Sequence, residues 1–358
     1  MAVISRHALN RATLDRQLLL RRHSMPALQA VEHLVGLQAQ APFPPYFGLW
    51  SRLDGFRPEE LARLLEQREV VRIVLMRGTV HLVSAADGLT LRPLTQPLLT
   101  KYLLNSHGTV MTSLDLDAVV ATGRQVLAAG PLTGAQLGVR MAEHHPGAGA
   151  TDLSQIMRTL VPLVQVPPRA VWGKAGQTAY ATVESWLGRE PHPAPSLDDL
   201  VLRYLAAFGP ATVADAQAWS GLTRLREVFD RLRARLVVLE DEHGRELFDL
   251  PDAPRPGPGA PAPVRLLAPF DNLLLSHADR SRVISDDHRK RVITINGQVL
   301  GTVLVDGFVQ GAWRRDKAVL TVDMFAPVTA GQAEEIRAEA AALLAFAEPG
   351  KAHDIRGI

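Results

Sequence analysis

One piece of punctuation occurs twice in this chain, and it limits what the chain can fold into more than any other feature. Gly130-Pro131-Leu132-Thr133 closes a helical segment running from Asp117 to Ala129, and Gly209-Pro210-Ala211-Thr212 closes another from Asp198 to Phe208. Glycine stops each helix, proline prevents its resumption, and threonine can cap the next one. Each copy then continues with a short helical segment (Gln136 to His144; Ala214 to Trp219), a longer one (Leu153 to Val161; Thr223 to Arg233) and two strands. In the first copy the strands are Leu163 to Val166 and Thr178 to Val183, joined through a turn that includes Lys174. In the second they are Leu236 to Leu239 and Glu246 to Leu250, turning at Asp241-Glu242-His243-Gly244. Helix, helix, helix, hairpin is the order of a winged helix-turn-helix.

The N-terminal third follows the same order. Asn10 is placed to cap a helix through Leu14, Leu18, Leu19 and Leu20. Apolar residues from Pro26 through Leu28, Val31, Leu34, Val35 and Leu37 recur at helical spacing, and Arg57-Pro58-Glu59-Glu60 opens a third helix. Two β-branched runs follow, Val70 to Leu75 and Thr79 to Val83, separated by Arg77-Gly78. The expected fold class is therefore α+β, with three winged helices in tandem over residues 1–112, 113–190 and 191–253. A Pro/Gly linker at 254–263 leads to a β-rich segment, 264–358, whose hairpins turn at Asn296-Gly297 and Asp306-Gly307 and whose last helix starts at Thr329.

The stretch Gly36-Leu37-Gln38-Ala39-Gln40, followed by Ala41-Pro42, is not explained by apolar periodicity. Pro42 pushes the preceding chain toward extended geometry, so the Pro26 helix is expected to end near Gln38. Side chains two apart share a face in an extended segment, which lets Gln38 and Gln40 line one site. The alternative is a plain helix end with two solvated glutamines.

Composition narrows the classes. Hydrophobic residues make up 47% and charged residues 21%, as in a folded water-exposed protein, and without cysteine there is no disulfide or thiolate metal site. No apolar run is long enough for a signal peptide or a membrane span, so a cytoplasmic location is expected. A net charge of +2 does not announce a nucleic-acid partner, although only five of the 39 cations are lysine. Arginine suits bidentate phosphate contacts, and a GC-rich coding bias produces the same excess. No phosphate-binding glycine loop, zinc-site spacing or nucleophile elbow occurs, so neither cofactor nor metal is expected.

Gly36 to Gln40 resembles the signature of the AlkZ and AlkX (YcaQ-like) winged-helix DNA glycosylases, which is glutamine, a variable residue, then glutamine or aspartate. Gln38-Ala39-Gln40 is similar to the AlkZ type. Arg77-Gly78-Thr79-Val80-His81-Leu82 and the segment Pro269-Phe270-Asp271 through His277-Ala278-Asp279-Arg280 are also similar to sequences of that superfamily. The resemblance implies three winged helices in a C-shaped scaffold around duplex DNA, a β-hairpin reaching the minor groove, and catalysis by Gln38 and Gln40. It implies release of cationic N7-alkylguanines, including bulky adducts and interstrand crosslinks, by a monomer. No lysine lies near the motif to form a Schiff base, so an intact abasic site is the expected product.

Candidate DNA contacts are Arg77, His81, Lys174, Arg280, Arg282, Arg289, Lys290 and Arg291, with the last five read as the cations of a hairpin tip. Arg224, Arg226, Arg231, Arg233 and Arg235 lie where a recognition helix would, interrupted by Glu227 and Asp230, so a salt-bridged surface is the competing reading. Two other functions fit the same chain: a winged-helix regulator that binds DNA without catalysis, and a protein that sequesters a DNA-alkylating drug.

Overall fold

The structure is a computed structural model that describes residues 2–358, and all their side chains except those of Thr109 and Val110. The chain forms two compact units. The first comprises Met1–Arg57, Asp198–Trp219 and Thr223–Ile358, and the second comprises Pro58–Leu197 with Ser220–Leu222. The division at Arg57 falls inside the span 1–112 expected to be one segment.

Both copies of the repeat are present element by element. In the second unit, Leu116–Ala128 is followed by Gly130 at φ 134°, the short strand Leu132–Thr133, and a helix Gly134–Ala142. Thr133 and Gln136 form a reciprocal capping box at that helix start. The helix Ala150–Leu160 and the strands Leu163–Val166 and Ala179–Thr182 complete the copy. In the first unit, Leu197–Phe208 leads through Gly209 to Val213–Ser220, with Thr212 Oγ1 accepting from Asp215 N at 3.0 Å. Arg226–Leu232 and the strands Val237–Asp241 and Glu246–Asp249 follow. The residue after each proline pairs with the last strand of its copy, Leu132 with Tyr180 and Ala211 with Phe248. The proline thus serves both to end a helix and to turn the chain onto the hairpin.

In the second unit the hairpin Val70–Val74 and Val80–Ser84 joins the hairpin of the first copy, because Arg72 and Ile73 pair with Gln165 and Val164. Within this unit the strands lie in the order Val80–Ser84, Val70–Val74, Leu163–Val166, Ala179–Thr182, Leu132–Thr133. In the first unit the strands Arg265–Leu267, Gly301–Val305, Phe308–Asp316, Val319–Met324 and Asp354–Arg356 form a sheet in that order, antiparallel except at the last pair. Its Asp306-Gly307 turn has both residues at positive φ, as a two-residue hairpin requires. The helix Ala330–Ala347 is capped by the expected Thr329 and Gln332 pair. Rings from the two ends of the unit meet here: Phe47 lies 6.0 Å from Trp313 and 5.8 Å from Phe346.

Four local expectations are corrected. Asn10 does not cap a helix. Ser5 caps Arg6–Arg16, and Asn10 is buried in its middle, donating to Arg282 O and Gly307 O at 2.8 Å. Polar Arg11, Thr13, Arg16 and Gln17 are buried with it, so this helix is held by hydrogen bonds as well as by its leucines. The Pro26 helix spans only Ala27–His33, because Val35 (φ 54°) and Gly36 (φ 89°) take the left-handed conformation before Pro42 can act. The cations from Arg280 to Arg291 are not a hairpin tip. Ser285 caps a helix, Asp286–Val292, and a separate small hairpin follows through the Ile293–Val299 bridge. Finally, the segment 254–263 is tethered within the first unit: Pro254 O accepts from Arg16 at 3.1 Å and Ala260 O from Arg11 at 2.7 Å.

Candidate active site around the glutamine motif

The reversal at Val35-Gly36 delivers the chain into a two-residue strand, Leu37–Gln38, and the motif begins there. Asn272 holds its backbone at two points. Asn272 Nδ2 donates to Gly36 O at 2.7 Å while Asn272 Oδ1 accepts from Gln38 N at 3.2 Å. A primary amide with one donor and one acceptor group satisfies both backbone groups, much as a neighbouring strand would. Asn272 is in turn fixed by its own turn, Asn272–Leu274, which Asp271 caps through Leu273 N at 3.0 Å.

Asp271 also receives Arg52, and the two guanidinium nitrogens reach the two carboxylate oxygens at 2.8 Å each. Both side chains are almost fully buried. Arg52 spends further donors on Gln17 O and Gly48 O, each at 2.9 Å, so the pair is well hydrogen-bonded as a buried ion pair must be. The segment at Pro269 is thereby a clamp on the glutamine motif. Gln38 is 7% exposed, Ala39 is buried and Gln40 is exposed. The arrangement is a rigid strand end with one amide in the protein and one on its surface.

Farther along the same segment the contacts serve the fold. His277 Nε2 hydrogen-bonds Phe208 O at 3.0 Å, and burial with the nearby Arg282 charge pushes its pKa down to about 3. Asp215 accepts from Ala278 N at 2.9 Å and lies 3.6 Å from Arg282, whose charge lowers its pKa against the opposing effect of burial. Arg282 is 5% exposed and donates to Pro210 O at 2.8 Å. Its cation is held inside the unit, which corrects the expectation that it faces a phosphate.

The remaining candidate contacts fall into three groups. On the first unit, Arg280 is half-buried, and burial together with the neighbouring Arg289 charge lowers its pKa. Arg289 and Lys290 pair with Asp286 and Asp287 one helical turn away at 3.2 and 3.4 Å. Arg291 reaches Asp323 at 3.3 Å and lies over the Phe325 ring at 4.0 Å. Exposed pairs of this kind contribute about 1 kcal/mol or less, so their cations remain exchangeable. On the second unit, Arg77 (φ 55°) occupies the turn before the strand that carries His81. His81 is 1% exposed and donates from Nδ1 to Thr79 O at 2.9 Å, and burial with the Arg77 charge lowers its pKa to about 3. A neutral buried imidazole is not a phosphate contact in this conformation. Lys174, in a turn of the first repeat copy, pairs with Glu66 at 2.5 Å.

The arginine run beyond Thr223 is salt-bridged. Arg231 pairs with Asp198, and Arg226 and Arg233 share Glu246 at 3.1 and 2.8 Å. Among the described residues no cluster of three metal-ligating side chains occurs, and no helix is long and apolar enough to cross a membrane. Asn272 and Arg52 were not singled out from sequence. Asn272 lies inside the quoted Pro-Phe-Asp segment, where its position is a signal; nothing local marks Arg52.

Comparison with known proteins adds three findings. A family model described as DNA glycosylase AlkZ-like matches residues 31–346. An "Interstrand DNA cross-link repair glycosylase" of Streptomyces sahachiroi is 26% identical over 332 residues, 87% of this chain and 88% of that protein. The solved structure of the Streptomyces sahachiroi DNA glycosylase AlkZ superposes with a TM-score of 0.82 at 22% identity, covering 99% of this chain and 100% of the other. That likeness establishes the mixed α and β fold.

Proposed function

The chain belongs to the AlkZ-like DNA glycosylase family, and from that premise we propose that it is a monofunctional glycosylase releasing cationic N7-alkylguanines from duplex DNA. Like the relative named for interstrand crosslink repair, it would accept crosslinked and bulky adducts. The observation that carries this reading is the clamped motif, in which Asn272 and the Arg52–Asp271 pair hold Gln38 and Gln40 at a fixed strand end. The repeated helix, helix, helix, hairpin order supports three tandem winged helices as its DNA-binding scaffold, acting as a monomer in the cytoplasm.

An amide is no acid or base near neutral pH, and this substrate needs neither. Alkylation at N7 places a positive charge on guanine, so the C1′–N9 bond breaks with its electron pair neutralising the base. The sugar becomes oxocarbenium-like. Water adds to C1′ and gives up a proton to solvent. Gln40, on the surface, presents its carbonyl to that water and to the developing positive charge, and Gln38 beneath it fixes the motif's geometry. The half-buried Arg280 and the exposed Arg289, Lys290 and Arg291 then hold phosphates, with Arg77 and Lys174 as contacts on the second unit. The hairpin whose tip carries the fully exposed Ile295 is the one we assign to the minor groove.

The test is base release from a duplex holding one N7-methylguanine, read as an alkali-sensitive site. Wild type is expected to release it, and Gln40→Ala to lose activity by about 100-fold or more while still binding DNA. Sequence-selective binding with no release from this duplex or a crosslinked one would instead make the protein a regulator. Borohydride is expected to trap no covalent adduct, and trapping would exclude the monofunctional route.

A further inference from the structure

The second unit contains a cavity of about 130 Å³. Val74, Leu99 and Leu103 supply apolar walls, Tyr102 an aromatic one, Gly78 a stretch of backbone, and Arg158 a cation. A volume near 150 Å³ holds a benzene ring, so this one suits a single six-membered ring and not a fused bicycle. Tyr102 is 44% exposed. Its ring is set against the turn at Gly78, where a Cβ would stand 2.9 Å from it.

Arg158 makes no ion pair among the described residues. Its Nη1 reaches Gln155 Oε1 at 3.3 Å, its guanidinium lies 5.1 Å from the Tyr180 ring centroid, and its buried Nε has no hydrogen-bond partner. Two of the cavity's three hydroxyls are already donated, Ser106 to Tyr102 O at 2.9 Å and Thr159 to Gln155 O at 2.8 Å, and the third is the phenol of Tyr102. The donors that remain are the Tyr102 hydroxyl and the terminal nitrogens of the Arg158 guanidinium, the one charged group of the lining. An inorganic anion would give up its hydration to three aliphatic walls for one cation, which is unfavourable. A flat ring with a carbonyl oxygen matches every wall: a π-face for Tyr102, edges for the aliphatic side chains and an acceptor for Arg158.

We propose that this cavity binds one pyrimidine base, stacked on Tyr102 with a ring carbonyl accepting from Arg158. The base comes from an unpaired nucleotide in DNA or from a free nucleoside. The proposal rests on the reading above only in taking DNA as the carrier.

The test uses the full chain and three duplexes: fully paired, with one bulged cytosine, and with an abasic analogue at the bulge, each measured by fluorescence anisotropy. Wild type is expected to bind the cytosine bulge about tenfold more tightly than the abasic bulge, as one stacked base allows. Tyr102→Leu and Arg158→Gln are expected to abolish that preference and leave affinity for the paired duplex unchanged. Suppression of the preference by excess cytidine assigns the site to free nucleosides as well, and its persistence restricts the site to bases in DNA. Equal binding of the two bulges by wild type overturns the proposal. So does a uniform loss on all three duplexes in variants whose melting temperature is unchanged. Anisotropy on these lesion-free duplexes reads binding alone, so a failure of base release on the N7-methylguanine duplex leaves this proposal standing, and equal binding of the two bulges leaves the glycosylase reading standing.

Discussion

At the scale of single residues, Asn272 is the position where small changes have the largest readable effect. Replacing it with alanine leaves Gly36 O and Gln38 N without their partner, and each orphaned buried group costs about 1–3 kcal/mol. Asn272→Ala is expected to lower stability by about 2–4 kcal/mol and to reduce base release further than that loss explains, because the motif strand loses two of its backbone contacts. Urea midpoints beside single-turnover rates check both parts. Arg52→Met is the harsher change. It strands Asp271 in the interior, a loss of about 3–5 kcal/mol, with no group at the motif itself removed. Gln38 and Gln40 stood out in the sequence through the family resemblance, since pattern alone reads them as a solvated helix end. Arg52 was not, since its partner lies 219 positions away and no local pattern records such a distance.

At the scale of elements, the hairpin closed by the Ile293–Val299 bridge separates packing from contact. Val292, Val299 and the partly buried Ile293 belong to the same apolar cluster as Ala41, the residue after Gln40, whereas Ile295 touches nothing that would bury it. Ile295→Ser is therefore expected to leave the melting temperature within about 1 °C and to weaken base release several-fold, read from matched rates on one lesion duplex. Strands and hairpins were legible here wherever glycine marked a turn, as at Asp306-Gly307. The Asp286–Val292 helix was missed because its charges mask the capping signal of Ser285, and the Pro26 helix was overrun because a left-handed valine has no sequence signature.

At the scale of the whole molecule, two buried histidines, one in each unit, tie stability to pH. His81 and His277 titrate at about 3 in the folded protein against about 6.5 in the unfolded chain. The unfolded chain therefore binds more protons between those values. Stability is fully present above about 6.5 and falls as pH drops toward 3, with a slope of up to about 1.4 kcal/mol per pH unit for each histidine. Denaturant midpoints across that window should show the fall, and His81→Leu should make the slope of the second unit's transition shallower by about one proton. The repeated order of elements was legible at this scale, since each Gly-Pro pair stops one helix ahead of the next. The division into units was not, because Asn10, Arg11, Arg16 and Gln17 read as an ordinary polar helix face until their partners between Leu205 and Gly307 are known.

That division has a consequence for synthesis. The first unit begins with the first 57 residues and is completed only by residues after Asp198, while Pro58–Leu197 forms most of the second. A ribosome adds about 5–20 residues per second, so the helix Arg6–Arg16, with its buried asparagine and arginines, emerges roughly 12–47 seconds before the strand bearing Asp249. During that interval it is a nascent segment whose partners do not yet exist. Pro58–Leu197, whose strands pair among themselves, can fold meanwhile, so the later-made unit is complete before the one that carries the glutamines.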